Sequence, residues 1–354
     1  MTQAGAWLMK HKICVVGGGV VGLTCAEVLS EEFDVTLVAD RIGTESASII
    51  ATAIWHVYLV DQNDRSTLCW AQETLERLMR IAVEYDEAGV TLVRGVELFR
   101  KNEAHLPSWS HIPPFFQLLS QDEISRFSAM DNPDVALRLP IRWGYRIEAP
   151  AATMDRYLPW LMERVLAKGV KHISRRLEHV EQALDYGVLI VNCSGYGARE
   201  LTPEAGISPV KGQYVVYANQ EGGPIEYIGD DDHPDETSYL ISRSGEVIIG
   251  GTEEYGDDTE NFTRSADELL DRIAPFEPWV RRLRGMTPLI SRVGLRPFRE
   301  KGVLLKLQRQ PSGTPVIHNI GHGGSGFSLS WGCANEVRNL ARRHFGLPVT
   351  EAVK

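Results

Sequence analysis

One stretch constrains this chain more than any other: KICVVGGGVVGLTCAEVLSEEFDVTLVAD, residues 12–40. The apolar run Ile13 to Val16 has the character of a strand buried on both faces. Gly17-x-Gly19-x-x-Gly22 follows, and Leu23, Ala26, Val28 and Leu29 then fall at helical spacing. A second apolar run, Val35 to Ala39, ends in Asp40, about 20 residues beyond the glycines, as a dinucleotide-binding βαβ unit requires. Each glycine has a physical task. Gly17 permits the tight turn, Gly19 lets backbone approach a pyrophosphate, and Gly22 lets helix and strand pack closely. The helix start at Val20 and Val21 offers unpaired N–H groups and the positive end of a dipole. Asp40 can accept hydrogen bonds from ribose hydroxyls, with Arg41 beside it.

A second glycine turn stands near the other end: GHGGSGFSLSWG, residues 321–332. It predicts a strand that breaks into a backbone-only loop and then a helix. Two such turns suit a ligand with an ADP half and a long second half, touched from distant parts of the chain. Flavin adenine dinucleotide (FAD) is such a molecule.

The remaining composition narrows the class. At 354 residues the chain can bury a large core and is expected to form two domains. A formal charge of -10 argues against a nucleic-acid surface. No apolar stretch approaches the roughly 20 residues that span a bilayer, so no membrane partner is expected. The five cysteines, 14, 25, 69, 193 and 333, are odd in number and form no CxxC pair. They read as free thiols in a reducing cytosol. The ten histidines show no zinc spacing, and no metal is expected. MTQAGAWLMKHK reads as an N-terminal extension rather than a signal peptide. The end, TEAVK, lacks an SKL-type peroxisomal signal, which leaves cytoplasm as the expectation.

Between the two turns, a long helix is predicted from Ser66 to Glu87, ending at Gly89, and another over the stretch beginning at Met154, closed by Gly169. Leu106 to Trp143 reads as loops and short strands of an inserted domain. Val188 to Gly195 is a buried strand whose small end residues, Ser194 and Gly195, would touch a nucleotide. SYLISRSGEVIIGGT reads as a hairpin turning at Arg243-Ser244-Gly245. The fold class is α/β: a Rossmann-type nucleotide domain (1–60, 145–200 and 290–354) with an inserted α+β substrate domain (61–144 and 201–289) on a mainly antiparallel sheet.

VVGGGVVGL, IWHVYLVD (54–61), VNCSG (191–195), VGLRPFR (293–299) and HNIGHGGSGFSLSWGCA (318–334) occur in the order seen in D-amino acid oxidases. The chain resembles that flavoprotein family over essentially its whole length, and the pairing of GLRPxR with GHGGxGxxxxWG is specific. Glycine and sarcosine oxidases share the first motif but usually not the last. The resemblance implies non-covalent FAD, with Gly17, Gly19 and Gly22 at the pyrophosphate and Asp40 and Arg41 at the ribose. Ser46, Ala47 and Ser48 fall where the family commonly has threonines near the phosphates and flavin, and Ala47 lacks one such hydroxyl. Ala53, Ile54 and Trp55 would pass along the flavin. His56 stands where a glutamine is common, and Trp55 and His56 would border the substrate. Gly321, Gly323, Gly324, Ser325, Gly326, Phe327 and Ser328 would wrap the flavin's pyrimidine edge and ribityl chain.

The same resemblance assigns Arg296 to the substrate carboxylate beside the flavin, Tyr239 to its support and the Gly324 carbonyl to the substrate amine. Arg292 and Arg299 are rivals by type. A second site tyrosine known in the family has no counterpart in DDDHPDETS, residues 230–238. Glu253 stands where relatives acting on acidic D-amino acids carry arginine. Regular alternation would put residues 249, 251 and 253 on the face of Tyr239, although the paired glycines can break it.

The implied activity is oxidative deamination of D-amino acids. Hydride passes from Cα to flavin N5, the imino acid hydrolyses to a 2-oxo acid and ammonia, and oxygen becomes peroxide. Carboxylates at 253 and in Asp230–Asp232 imply neutral or basic side chains over acidic ones. The alternatives are an oxidase of glycine or N-substituted amino acids, and a flavoprotein dehydrogenase with a non-oxygen acceptor. The partners implied are an amino acid and molecular oxygen, and a homodimer is left open.

Overall fold

The βαβ stretch folds as its pattern requires. In the computed structural model, which describes residues 10–101, 105–219, 226–234, 236–243, 245–257 and 262–349, strand Lys12–Gly18 leads into helix Val20–Leu29 and strand Asp34–Ile42. Most of the N-terminal extension, Ser244 of the hairpin turn and the TEAVK end lie outside the described residues.

Strand Lys12–Gly18 lies inside a six-stranded sheet. Its order is Leu304–Arg309, Pro315–Ile320, Leu189–Asn192, Lys12–Gly18, Asp34–Ile42, Lys171–Ser174. All neighbours are parallel except the edge pair 304–309 and 315–320. Ile13, Cys14 and Val15 are fully buried, which explains the unbroken apolar run. The late glycine turn follows strand Pro315–Ile320 and opens helix Gly326–His344, so both turns stand at the carboxyl edge of one sheet. The two following helices pack on each other. Helix Arg65–Glu84, capped by the Asp64 carboxylate, crosses the C-terminal helix at Gly332. A Cβ there would lie 2.3 Å from the Trp70 backbone, and the Gly332 N–H donates to Thr74 Oγ1 at 3.0 Å. This helix ends at Glu84, and a short turn then reaches Gly89 at φ +64°.

The second sheet has nine strands and is mainly antiparallel. Its order runs Glu254–Tyr255, Ser208–Ala218, Glu246–Gly250, Ser238–Arg243, Tyr227–Asp230, Val90–Phe99, Trp143–Ala152, Phe115–Leu118, and Ile290–Phe298 also pairs with Ser208–Ala218. Its far face buries Leu240, Val247 and Ile249 against Leu269, Leu270 and Ile273 of helix Ala266–Ile273. Residues 145–152 and 290–298, expected in the nucleotide domain, are strands of this second sheet, held there by full ladders to 90–99 and 208–218. Residues 106–143, expected as loops and short strands, hold the short strand Phe115–Leu118 and, beyond that expectation, two helices, Gln121–Met130 and Pro133–Arg138. The first starts with a capping box between Ser120 and Glu123, but buries only Ile124 and Phe127, too few for a clear period.

Candidate active site

A cavity of 830 Å³ runs from the carboxyl edge of the parallel sheet to the face of the second sheet, near the top of the range of about 300–1,000 Å³ usual for small-molecule sites. At one end are Gly17, Gly19, Val20, Val21, Asp40 and Arg41, joined by Ser194 and Gly195. This end is built for backbone contact. Gly17 has φ +112°, and a Cβ on it would meet the Cys193 carbonyl oxygen at 2.4 Å. Gly22 is off the wall and packs on Gly17, with a Cβ there 1.9 Å from the Gly17 oxygen. The Val20 N–H donates to Ser48 Oγ at 2.9 Å, so one of the helix's opening N–H groups is already satisfied. Ser46, Ala47 and Ser48 line this end too, with the Ser46 hydroxyl donating to the Gly43 carbonyl at 2.6 Å. Arg175, Arg176 and Arg199 also line this end. Sequence reasoning missed them: Arg175 and Arg176 follow strand Lys171–Ser174 in a loop without a motif, and Arg199 lies in the short helix Ala198–Leu201 just beyond VNCSG.

Toward the middle, residues 51–54, His56 and Tyr58 face Gly323, Gly324, Gly326 and Phe327. The glycines are required by close packing: a Cβ on Gly323 would lie 2.1 Å from the Leu59 oxygen, and one on Gly324 2.4 Å from the Tyr58 ring. The hydroxyls of Ser325 and Ser328, expected at the flavin, are used to fasten the two segments together. Ser325 Oγ accepts from the Tyr58 N–H at 2.7 Å and donates to its carbonyl at 2.8 Å, and Ser328 Oγ accepts from the His56 N–H at 3.0 Å. The Gly323 N–H donates to the Pro297 carbonyl at 3.0 Å. Gly321 (φ +82°) lies under the Arg299 side chain rather than on the wall.

The far end carries Gly212, Tyr214, Tyr227, Asp231, Thr237, Tyr239, Ile241 and Arg296. Arg296 comes from strand Ile290–Phe298, and its guanidinium lies against Gly212, where a Cβ would come within 2.4 Å of Nη2. Nη1 donates to the carbonyls of Lys211 (3.2 Å) and Thr252 (3.1 Å). The guanidinium also stands 5.7 Å from the centre of the Tyr58 ring. Arg296 makes no ion pair among the described residues. Arg292 and Arg299 are committed elsewhere: Arg292 to the Ile49 carbonyl, Arg299 to those of Ala205, Lys301 and Gly302.

Tyr239 rests on the paired glycines of the hairpin. A Cβ on Gly250 would lie 2.4 Å from its ring and one on Gly251 2.5 Å, so both positions must be glycine for the ring to lie there. Burial pushes the Tyr239 phenol pKa up, with Arg296 opposing. The hydroxyl therefore remains protonated at neutral pH.

Glu253 reaches this end by a route alternation does not describe. The strand stops at Gly250, and Tyr239 pairs with Gly250, not with 249 or 251. Glu253 instead accepts a hydrogen bond from the Tyr58 hydroxyl and is not on the cavity wall. Tyr58 is thus the aromatic neighbour of Arg296 that the sequence did not reveal. Burial pushes its phenol pKa up, partly countered by Arg296. Trp55, expected at the cofactor and substrate, is fully buried behind the wall, its Nε1–H donating to the Ala71 carbonyl at 3.1 Å. His56 does line the cavity, stacked edge-on to Trp109 at 5.0 Å. Burial lowers its pKa and Asp231 opposes this. Among the described residues, no cluster of three or more His, Cys, Asp or Glu could hold a metal, and no helix is long and apolar enough to cross a membrane.

The glycine-lined end, long middle and cationic far end fit a dinucleotide whose second half meets a small anionic molecule. Comparison with known proteins agrees. Residues 12–340 match the DAO family model, described as FAD dependent oxidoreductase. The chain is 37% identical over 329 residues to a D-amino-acid oxidase of Rubrobacter xylanophilus, covering 92% of this chain and 94% of that protein. It is 32% identical over 345 residues to the D-aspartate oxidase of Homo sapiens, covering 93% and 94%. Its fold is similar to that of the glycine oxidase from Geobacillus kaustophilus, with a TM-score of 0.74 at 19% identity over 98% of this chain and 100% of that one. The chain belongs to the DAO family of FAD-dependent oxidoreductases.

Proposed function

We propose that this protein is a D-amino acid oxidase, converting its substrate to an imino acid that hydrolyses to a 2-oxo acid and ammonia, with oxygen reduced to peroxide. The observation that carries the reading is Arg296. It is a cavity-wall guanidinium with backbone carbonyls as its hydrogen-bond partners and, among the described residues, no acidic side chain paired with it. A planar guanidinium of this kind grips a carboxylate through two parallel hydrogen bonds. The protonated Tyr239 hydroxyl gives a further donor to the same carboxylate. The Gly324 carbonyl accepts from the substrate amine, and the glycine turn at 321–326 seats the cofactor's second half.

Bound FAD supplies the two-electron acceptor and its reoxidation by oxygen. The side chains position the substrate, bind its charge and, through the covering Tyr58 and Tyr239 rings, limit water. The carboxylates of Asp231, on the wall, and Glu253, behind Tyr58, support a preference for neutral or basic over acidic side chains. The test is peroxide formation by the flavin-loaded protein across D-amino acids, their L-enantiomers, glycine and sarcosine. Peroxide from neutral and basic D-amino acids, well above that from acidic ones, from the L-enantiomers and from glycine and sarcosine, is the expected result. Turnover of only glycine or sarcosine, or of D-amino acids only with an artificial electron acceptor, would replace it.

A further inference from the structure

The acidic run Asp230 to Asp232 contains three carboxylates with three different surroundings. Asp230 is completely buried and pairs with the buried Arg100 at 2.6 Å. Asp232 accepts from the backbone N–H groups of Arg100 (3.3 Å) and Lys101 (3.0 Å), and pairs with the Lys101 ammonium at 3.5 Å. Those two hold the end of strand Tyr227–Asp230 against strand Val90–Phe99. Asp231 alone of the three lines the cavity. Its Oδ1 accepts from Thr237 Oγ1 at 2.8 Å, and it makes no ion pair among the described residues.

The charges on this part of the wall are few. Of the described cavity residues on the strands of the second sheet and the loop 231–237, Arg296 is the one arginine or lysine and Asp231 the one carboxylate. His56 also lines the cavity, and burial lowers its pKa with Asp231 opposing. Glu97, behind Tyr227, is completely buried and accepts the Tyr227 hydroxyl, so it fixes that ring but is not on the wall. Glu253 is engaged by Tyr58. A zwitterion whose carboxylate lies on Arg296 therefore meets one remaining unpaired charge, and it is negative.

We propose that Asp231 is the residue that selects the substrate side chain, and that the site favours D-amino acids ending in an ammonium or guanidinium group. This rests on the D-amino acid reading above. Asp231 is already oriented by Thr237, so little ordering is needed when a cation arrives. Removal of both charges from water into a partly enclosed cavity strengthens their attraction. An uncharged side chain of the same length leaves the carboxylate without a counter-charge, and an acidic one adds repulsion.

The test compares D-lysine with D-norleucine, which match in chain length and differ in the terminal charge. The wild-type kcat/KM ratio is expected to favour D-lysine by about tenfold or more. Asp231→Asn should bring that ratio down by about tenfold, and Asp231→Glu should keep most of it. Flavin content, read from absorbance, establishes that each variant is folded and loaded. A wild-type preference for D-norleucine overturns the proposal. So does an Asp231→Asn variant in which both substrates fall together, since the carboxylate would then be serving the α-amine. Absence of turnover with any D-amino acid by flavin-loaded wild type overturns the parent reading. Turnover of D-alanine without a preference for the cation overturns this inference alone.

Discussion

Replacing Arg296 by alanine should cost the enzyme its hold on the substrate while leaving the cofactor in place. A guanidinium has five N–H donors. The two on Nη1 serve the carbonyls of Lys211 and Thr252 at 3.2 and 3.1 Å. Neither Nε nor Nη2 has a hydrogen-bond partner among the described residues, so one edge, carrying both nitrogens, is left for the two oxygens of a carboxylate. Truncating one side of such a desolvated pair costs about 2–5 kcal/mol, or roughly 30- to several-thousand-fold in kcat/KM. Arg296→Lys keeps the charge but loses the fork, so it should lie between, about 10- to 100-fold below wild type. The assay is steady-state peroxide release with the best D-amino acid, with bound flavin measured beside it. Alanine and lysine variants that both retain flavin and stay within about threefold of wild type would refute the assignment of the free edge.

Further expectations follow from the same geometry. The purified protein should be yellow and release its flavin to the supernatant on acid precipitation. Colour held in the pellet would contradict non-covalent binding. Glu253→Arg removes the acceptor of the Tyr58 hydroxyl and places a cation near Arg296. The kcat/KM ratio of D-aspartate to D-alanine should rise by about fivefold or more, and an unchanged ratio would leave Glu253 no part in selectivity. His322, in the glycine turn and on the cavity wall, is pushed by burial from 6.5 to about 4, and its Nε2 has no hydrogen-bond partner among the described residues. The unfolded chain then binds more protons between those values. Stability contributed by the neutral ring is complete above about pH 6.5 and is lost as pH falls toward 4, by about 3 kcal/mol. Denaturant melts of wild type and His322→Asn at pH 7 and pH 4.5 should show a smaller acid loss in the variant, and equal losses would contradict the shift.

The parts of this protein that could be read from sequence are those where backbone is forced. Gly17, Gly19, Gly323 and Gly324 are glycines because a carbonyl, a hydroxyl or a ring occupies the space of a Cβ, and such pressure leaves a local motif. Arg296 was legible for a similar reason, since it sits in a stiff Gly-Leu-Arg-Pro strand. Tyr58 was not. It lies in an extended segment, and it gains meaning only through Glu253 and Arg296, which are 195 and 238 residues further along the chain. The same holds for Arg175 and Arg176, from one loop, and Arg199, from a short helix, which meet only in the fold. The pair Gly250–Gly251 was visible as a break in alternation, but its cause, the Tyr239 ring lying across it, is tertiary. Helix Gln121–Met130 had a signal in Ser120-x-x-Glu123, which the surrounding prolines and aromatics obscured. Residues 145–152 and 290–298 alternate too weakly for sequence to show which sheet recruits them.

Anaerobic mixing of the flavin-loaded protein with the two enantiomers of alanine tests the central claim most directly, because it removes oxygen and reports on the positioned substrate alone. D-alanine should bleach the flavin absorbance band completely while L-alanine at the same concentration leaves it unchanged, and Arg296→Ala should slow the bleaching on the order of 30-fold or more. Bleaching by both enantiomers at similar rates, or no bleaching by D-alanine or any other D-amino acid, would contradict it.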